Sequence, residues 1–294
     1  PAQMLAAADI AARSGLESII LGFSFNASAA PALQPSFARL APEVVLNVRD
    51  SLSLERLRSF APVQARLVAD SAFMLEAVGL DAETRGWITT QRAAGRRVIG
   101  LNLHPMLIRH PGEEQVRTMV STMAEAVSGV AASAEGPLSF LLIPHDYRDD
   151  SGHGDGVCLR PLMAALSAHS DLCCRYFEGN HRAAVLKDLA GNLDGIVTGR
   201  MHLAIASLGM GVPVLCLTYQ DKFEGLFRHF ALPQSLLLAP QMLEGGPELR
   251  QRLGEFLAIL PELTLRVREA RPRIQALSAL NFSPAGQVKF ENSS

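Results

Sequence analysis

The stretch DGIVTGRMHLAIASLGMGVPVLCLTYQDK, Asp194 to Lys222, decides the fold. Gly195 to Gly199 reads as a buried strand closing on glycine, and Met201 to Met210 as an apolar helix. The first turn of such a helix has unpaired N–H groups and a positive dipole end. Arg200 and His202 stand at the join. A guanidinium fork and an imidazole beside a helix N-terminus make a site for a phosphate or a carboxylate.

The same alternation runs outward in both directions. Upstream of the join, helices are predicted over 1–14, 31–40 and 51–60, with strands over 17–22, 44–48 and 65–69. A polar, mixed stretch from Glu76 to Arg97 holds Trp87 and QRAAGRR and reads as a linker. A second alternation then begins with the strand Val98 to Leu103 and runs through strands at 138–143, 172–177, 195–197, 212–217 and 236–238. Helices are expected between them at 113–134, 159–169, 182–190, 201–210 and 223–230. This βαβα order predicts an α/β fold, with two Rossmann-like domains of parallel sheet facing a cleft. The divisions are 1–75 for the first domain, 76–97 for the linker, 98–246 for the second domain and 247–294 for a helical tail broken by Pro261 and Pro272.

Composition narrows the function classes. In 294 residues, 48% hydrophobic and 19% charged describe a globular protein, and a net charge of -2 excludes a broad nucleic-acid surface. The longest apolar runs fall short of the roughly 20 residues a membrane helix needs, which leaves only peripheral membrane attachment open. Cys158, Cys173, Cys174 and Cys216 lack CxxC spacing and read as buried thiols of a reducing cytoplasm, with neither zinc nor disulfides. The chain opens at Pro1 in what reads as mid-helix, so its start is expected to be incomplete.

In a doubly wound sheet, ligands sit outside the carboxyl ends of the strands. The residues just past those ends in the second half are Asn102 and His104 (GLNLHP), His145 and Asp146 (IPHD), the turn EGNH at 178–181, Arg200 and His202, and Tyr219 and Lys222 (YQDK). A polar residue past a strand is often a turn or cap, so the signal is their succession. His145 reads either as a core histidine on a backbone carbonyl or as a proton-transfer or acceptor-binding group. Lys222 is either a surface lysine or a second cation for the ligand. The loop DDSGHGDG lacks the spacing of a phosphate loop and reads as an acidic flap with Asp155 a ligand-facing carboxylate. His153 with Asp155 falls short of a metal set. In the first half, Asp50 or Ser51 reads as the N-cap of the helix at 51–60, with Glu55 nearby. Arg49 either pairs with Asp70 or faces the cleft.

Three segments together resemble the polysaccharide pyruvyl transferase family: VLNVRDSLSLERL with VADSAFML, IPHD with its acidic loop, and LDGIVTGRMHLAIASLGMGVPVLCLTYQDKFEGLFRHFALP. The last is the most specific, with G-R-[LM]-H between a strand and a small-residue helix and Y-x-x-K after the next strand. The resemblance implies a fold similar to GT-B glycosyltransferases. It also implies transfer of the enolpyruvyl group of phosphoenolpyruvate onto two hydroxyls of a sugar or lipid-linked glycan, as a ketal, with release of phosphate.

The family's Arg and His of G-R-x-H bind phosphoenolpyruvate and match Arg200 and His202, with Met201 between them. Lys222, Tyr219 and Asn102 are expected to join them. His202 or His145 is expected to move a proton, and Arg49, His104 and Asp155 to line the acceptor side. Neither a metal nor a cofactor is expected. The family's opening strand and N-x-G-D-type loop have no counterpart here, so the first domain is expected to lack its start. The alternative is a nucleotide-sugar glycosyltransferase or epimerase of the same architecture, with Asp221 or Glu224 on a ribose. A binding or scaffold protein is a third reading, which loss of Arg200 or His202 would have favoured.

Overall fold

The computed structural model describes residues 2–108, 112–148, 152–218 and 222–283. The chain divides into two units, one of residues 1–75, 224–231 and 272–294 and the other of 76–223 and 232–271.

The first unit carries three parallel strands in the order β1 (Ile19–Phe23), β2 (Val45–Val48), β3 (Arg66–Leu67). They alternate with α1 (Ala2–Arg13), α2 (Gln34–Ala38) and α3 (Ser51–Phe60). The start of α3 falls where the sequence places it: the carboxylate of Asp50 accepts from Ser53 N at 2.7 Å and from Ser53 Oγ at 2.9 Å. Glu55 takes no part in that cap and pairs instead with Arg228 at 3.5 Å. Leu46, Val48 and Leu57 are buried, and Phe25 packs on Phe37 and Phe60 with ring centroids 5.9 and 5.1 Å away.

The second unit is a six-stranded parallel sheet in the order β6 (Cys173–Tyr176), β5 (Leu138–Leu142), β4 (Arg97–Leu101), β7 (Gly195–Thr198), β8 (Val214–Leu217), β9 (Leu237–Leu238). Counted within the unit, this is the doubly wound order 3-2-1-4-5-6. The chain leaves β4 for β5 on one side, and later returns to β4's other side with β7. The order therefore reverses between β4 and β7, and that is the switch point where such sheets bind ligands. Both central strands are buried from Val98 to Leu101 and from Gly195 to Thr198, as continuous apolar runs covered on two faces must be. The connections are α5 (Glu113–Ser133), α6 (Gly156–Ser167), α7 (Ala183–Gly191) and α8 (Met201–Gly209), while α9 (Phe223–His229), after β8, belongs from Glu224 on to the first unit.

Two boundaries differ from expectation. Much of the expected linker is helix α4 (Ala82–Ala93), part of the second unit. Asp81 caps it by accepting from Thr84 N at 2.7 Å, and a narrow stripe of Thr84 and Ile88 is buried. A stripe that thin is easily read as loop. The expected tail is α10 (Glu248–Ala258) and α11 (Leu260–Ala279). Pro261 lies in the first turn of α11, where no intrahelical donor is missing. The helix continues through Pro272, where the chain passes from the second unit to the first. In the first unit Asn281 then binds the sheet: its Oδ1 accepts from Gly22 N at 2.7 Å and its Nδ2 donates to Ala69 O at 2.8 Å.

All four cysteines are free thiols, and burial pushes those of Cys158 and Cys174 up to about 12. Among the described residues no helix is long and apolar enough to cross a membrane.

Candidate functional site at the switch point of the second sheet

The ends of β4, β5 and β7 deliver Asn102 and His104, His145 and Asp146, and Thr198 and Arg200. At the centre is Asp155, which is 0% exposed. Its Oδ1 accepts from Arg200 Nε at 3.0 Å and Nη2 at 2.5 Å. Its Oδ2 accepts from Asn102 Nδ2 at 2.7 Å, His145 N at 2.8 Å and Asp146 N at 3.2 Å. Five N–H donors thus satisfy one buried carboxylate, which is what burying that charge requires. The expectation of a ligand-facing Asp155 is corrected accordingly. The residue sits under the site at the start of α6, its own N–H donating to Asp146 O at 2.8 Å.

Asn102 is 1% exposed and spends its whole amide on the protein. Its Nδ2 also donates to Ile143 O at 2.9 Å, and its Oδ1 accepts from Thr198 Oγ1 at 2.9 Å. Thr198 Oγ1 in turn accepts from Arg200 N at 2.9 Å. A chain of bonds therefore runs from β4 through β7 to the backbone of Arg200. Asn102 braces the site and presents no group to a ligand. Thr198 escaped the sequence reading. Its signal was a hydroxyl in a fully buried strand, which must find a partner.

Arg200 is the N-cap residue of α8, in extended conformation, and its own side chain makes no capping bond to the helix. Its side chain is 14% exposed. Nη2 also donates to His153 O at 3.3 Å and lies 3.4 Å from Asp146 Oδ2. Nη1 lies 3.6 Å from the Met106 thioether. One edge of the guanidinium is therefore held inward and another is left toward a soft, partly exposed side chain. An Arg edge at a helix N-terminus suits an anion.

Asp146 is gripped by Arg148, through Nε at 2.9 Å and Nη2 at 2.6 Å. That fork holds its carboxyl well below the usual carboxylate range, with Arg200 helping. His202, the second residue of α8, is exposed. His145 is partly buried, and burial lowers its pKa, with Asp155 opposing and His202 and Arg200 adding to the shift. A neutral imidazole can accept a proton, which is what a lowered pKa makes available at His145. His104 is 0% exposed, and burial beside Arg200 pushes its pKa down to about 4. It packs where a Cβ on Gly199 would fall, 2.6 Å from His104 Nε2, which is why glycine precedes Arg200. His104 is therefore a wall of the site and lines no open surface.

Lys222 is half-buried ahead of α9, and Tyr219 lies outside the described residues, as does Asp221. In the first unit Arg49 pairs with Asp70 at 2.8 Å and donates to Ser24 Oγ at 2.6 Å, so the ion-pair reading holds. At the EGNH turn His181 Nε2 bonds Glu178 O at 2.7 Å and its ring stacks on Phe177, a closed local arrangement. Among the described residues no three His, Cys, Asp or Glu side chains form a group that could hold a metal ion.

Solved structures share the fold. The S. aureus MnaA–UDP complex superimposes with a TM-score of 0.58 at 12% identity, over 92% of this chain and 68% of that one. The trehalose-6-phosphate synthase OtsA gives 0.53 at 12% identity, over 94% and 68%. A candidate UDP-N-acetylglucosamine 2-epimerase from Listeria monocytogenes gives 0.52 at 15% identity, over 92% of this chain. The present chain spans 64% of the Listeria protein's length. The fold is thus the Rossmann-like one of GT-B glycosyltransferases and epimerases. No curated protein matches the chain in sequence. The family model for polysaccharide pyruvyl transferases matches residues 1–221, which include β7, Arg200 and His202. By that match, the chain belongs to the polysaccharide pyruvyl transferase family.

Proposed function

We propose that the chain transfers the enolpyruvyl group of phosphoenolpyruvate onto two hydroxyls of a glycan, free or lipid-linked, in the cytoplasm. The observation that carries this reading is Arg200 at the start of α8, with His145 and His202 beside it. Phosphoenolpyruvate bears a phosphate and a carboxylate, and both need cations or helix N–H groups. In this scheme Arg200, the Met201 end of α8 and Lys222 hold those charges, with Tyr219 nearby in sequence.

The chemistry balances without a metal or cofactor. His202 or His145 as imidazolium protonates the methylene carbon of the donor, leaving an electrophilic centre at the carbon that bears phosphate. A first hydroxyl attacks that carbon and returns its proton to the imidazole. The second hydroxyl replaces phosphate and closes the ketal, its proton leaving with the phosphate. Arg200 neutralises the charge that develops on the leaving group.

A second reading is a nucleotide-sugar glycosyltransferase or epimerase, favoured by the UDP in the S. aureus structure of the same fold. Phosphate release from phosphoenolpyruvate with a glycan acceptor, set against calorimetric titration with UDP-sugars, separates the two. Tight UDP-sugar binding with no phosphate release would replace the first reading by the second.

A further inference from the structure

We propose that Asp155 is the positioning residue of the anion site, fixing which edge of Arg200 a ligand can use. This rests on the reading in which Arg200 holds the donor's phosphate. The carboxylate is 0% exposed and joins three strand ends: β4 through Asn102, β5 through the backbone of His145 and Asp146, and β7 through Arg200.

Asp155 is itself immobilised. Its carbonyl accepts from Cys158 N at 3.0 Å and Leu159 N at 2.9 Å in the first turn of α6. A buried ion pair adds little net stability over an apolar filling, because desolvation offsets the attraction. Its contribution here is geometric. With Nε and Nη2 both on Asp155 Oδ1, the guanidinium plane is fixed, and its Nη1 side lies toward Met106. A ligand anion therefore meets the Nη1 side, because the second Nη2 hydrogen is already donated to His153 O. Asp146 Oδ2 flanks the guanidinium 3.4 Å from Nη2. Asp155 touches no ligand in this arrangement and acts through Arg200.

The Nε–H resonance of Arg200 in a 15N correlation spectrum reads this directly, assigned by its absence in Arg200→Lys. In the wild type it is protected from exchange, and it stays protected when inorganic phosphate saturates the site while the Nη signals shift. In Asp155→Asn the exchange rate rises at least tenfold, and turnover of phosphoenolpyruvate falls about 100-fold in kcat, the usual cost of misplacing a reacting group by about 1 Å. Unchanged Nε–H protection in Asp155→Asn would overturn the proposal. So would loss of protection on phosphate binding to the wild type, because Asp155 would then be a counter-ion the ligand displaces. The phosphate titration needs no variant, so it decides even if Asp155→Asn fails to fold. A wild type that turns over no phosphoenolpyruvate, yet shows the expected Nε–H behaviour, would remove the proposed reaction and leave the positioning role standing.

Discussion

Asp146 Oδ2 lies 3.4 Å from Arg200 Nη2, beside the edge of the guanidinium that Asp155 leaves outward. Arg148 grips the same carboxylate, which stays ionised because the fork holds its pKa well below the usual range. An incoming phosphate would meet a negative charge within a few ångströms of its binding edge. At the effective dielectric of a partly exposed site, that repulsion amounts to about 1–3 kcal/mol.

Asp146→Asn removes the repulsion and keeps the shape. Inorganic phosphate should bind about tenfold more tightly to this variant, by calorimetry at low salt, with the gain shrinking as salt is added. Weaker binding would mean that Asp146 orients the guanidinium more than it competes for it.

Burial beside Arg200 gives His104 a pKa of about 4 against 6.5 when unfolded. The unfolded chain therefore binds the extra proton first as pH falls. Stability from this group is complete above about pH 6.5, is lost progressively down to about pH 4, and totals roughly 3 kcal/mol. His145 and His229, also lowered by burial, act in the same direction. His104→Gln should thus show a smaller fall in Tm between pH 7 and pH 4.5 than the wild type. An equal fall in both proteins would refute the assignment to His104.

Gly199 is the close approach between β7 and the His104 turn. A Cβ there would lie 2.6 Å from His104 Nε2 and 2.8 Å from Leu107 Cδ2, and both side chains are buried. Neither can give way cheaply, so Gly199→Ala should cost about 1–3 kcal/mol by overpacking. Chemical denaturation with an unchanged m-value is the check, and a variant as stable as the wild type would show that the turn yields.

These sites show where the sequence could be read and where it could not. Strands β4, β5, β7 and β8 are short apolar runs between helices of clear period, so their ends, and the residues just past them, were legible. Arg200 and His202 were found in that way. The pairing of Arg200 with Asp155 was not, because the partners are 45 residues apart and meet only in the folded second unit. Asp155 looked like a loop carboxylate since nothing local marks it as buried. Asn102 is legible as a residue at a strand end, but the sequence does not show that its amide is consumed by Thr198, Ile143 and Asp155. Helix α4 hid behind its polarity. The passage of α11 into the first unit at Pro272 also left no local sign, because a proline in a helical pattern is ordinarily a stop.

Arg200→Ala, titrated calorimetrically with phosphoenolpyruvate beside the wild type, tests the central claim most directly. The wild type should bind the donor, and the variant should show no measurable binding while still unfolding cooperatively. Unchanged affinity in a folded Arg200→Ala protein would contradict the account, because the donor would then be held elsewhere.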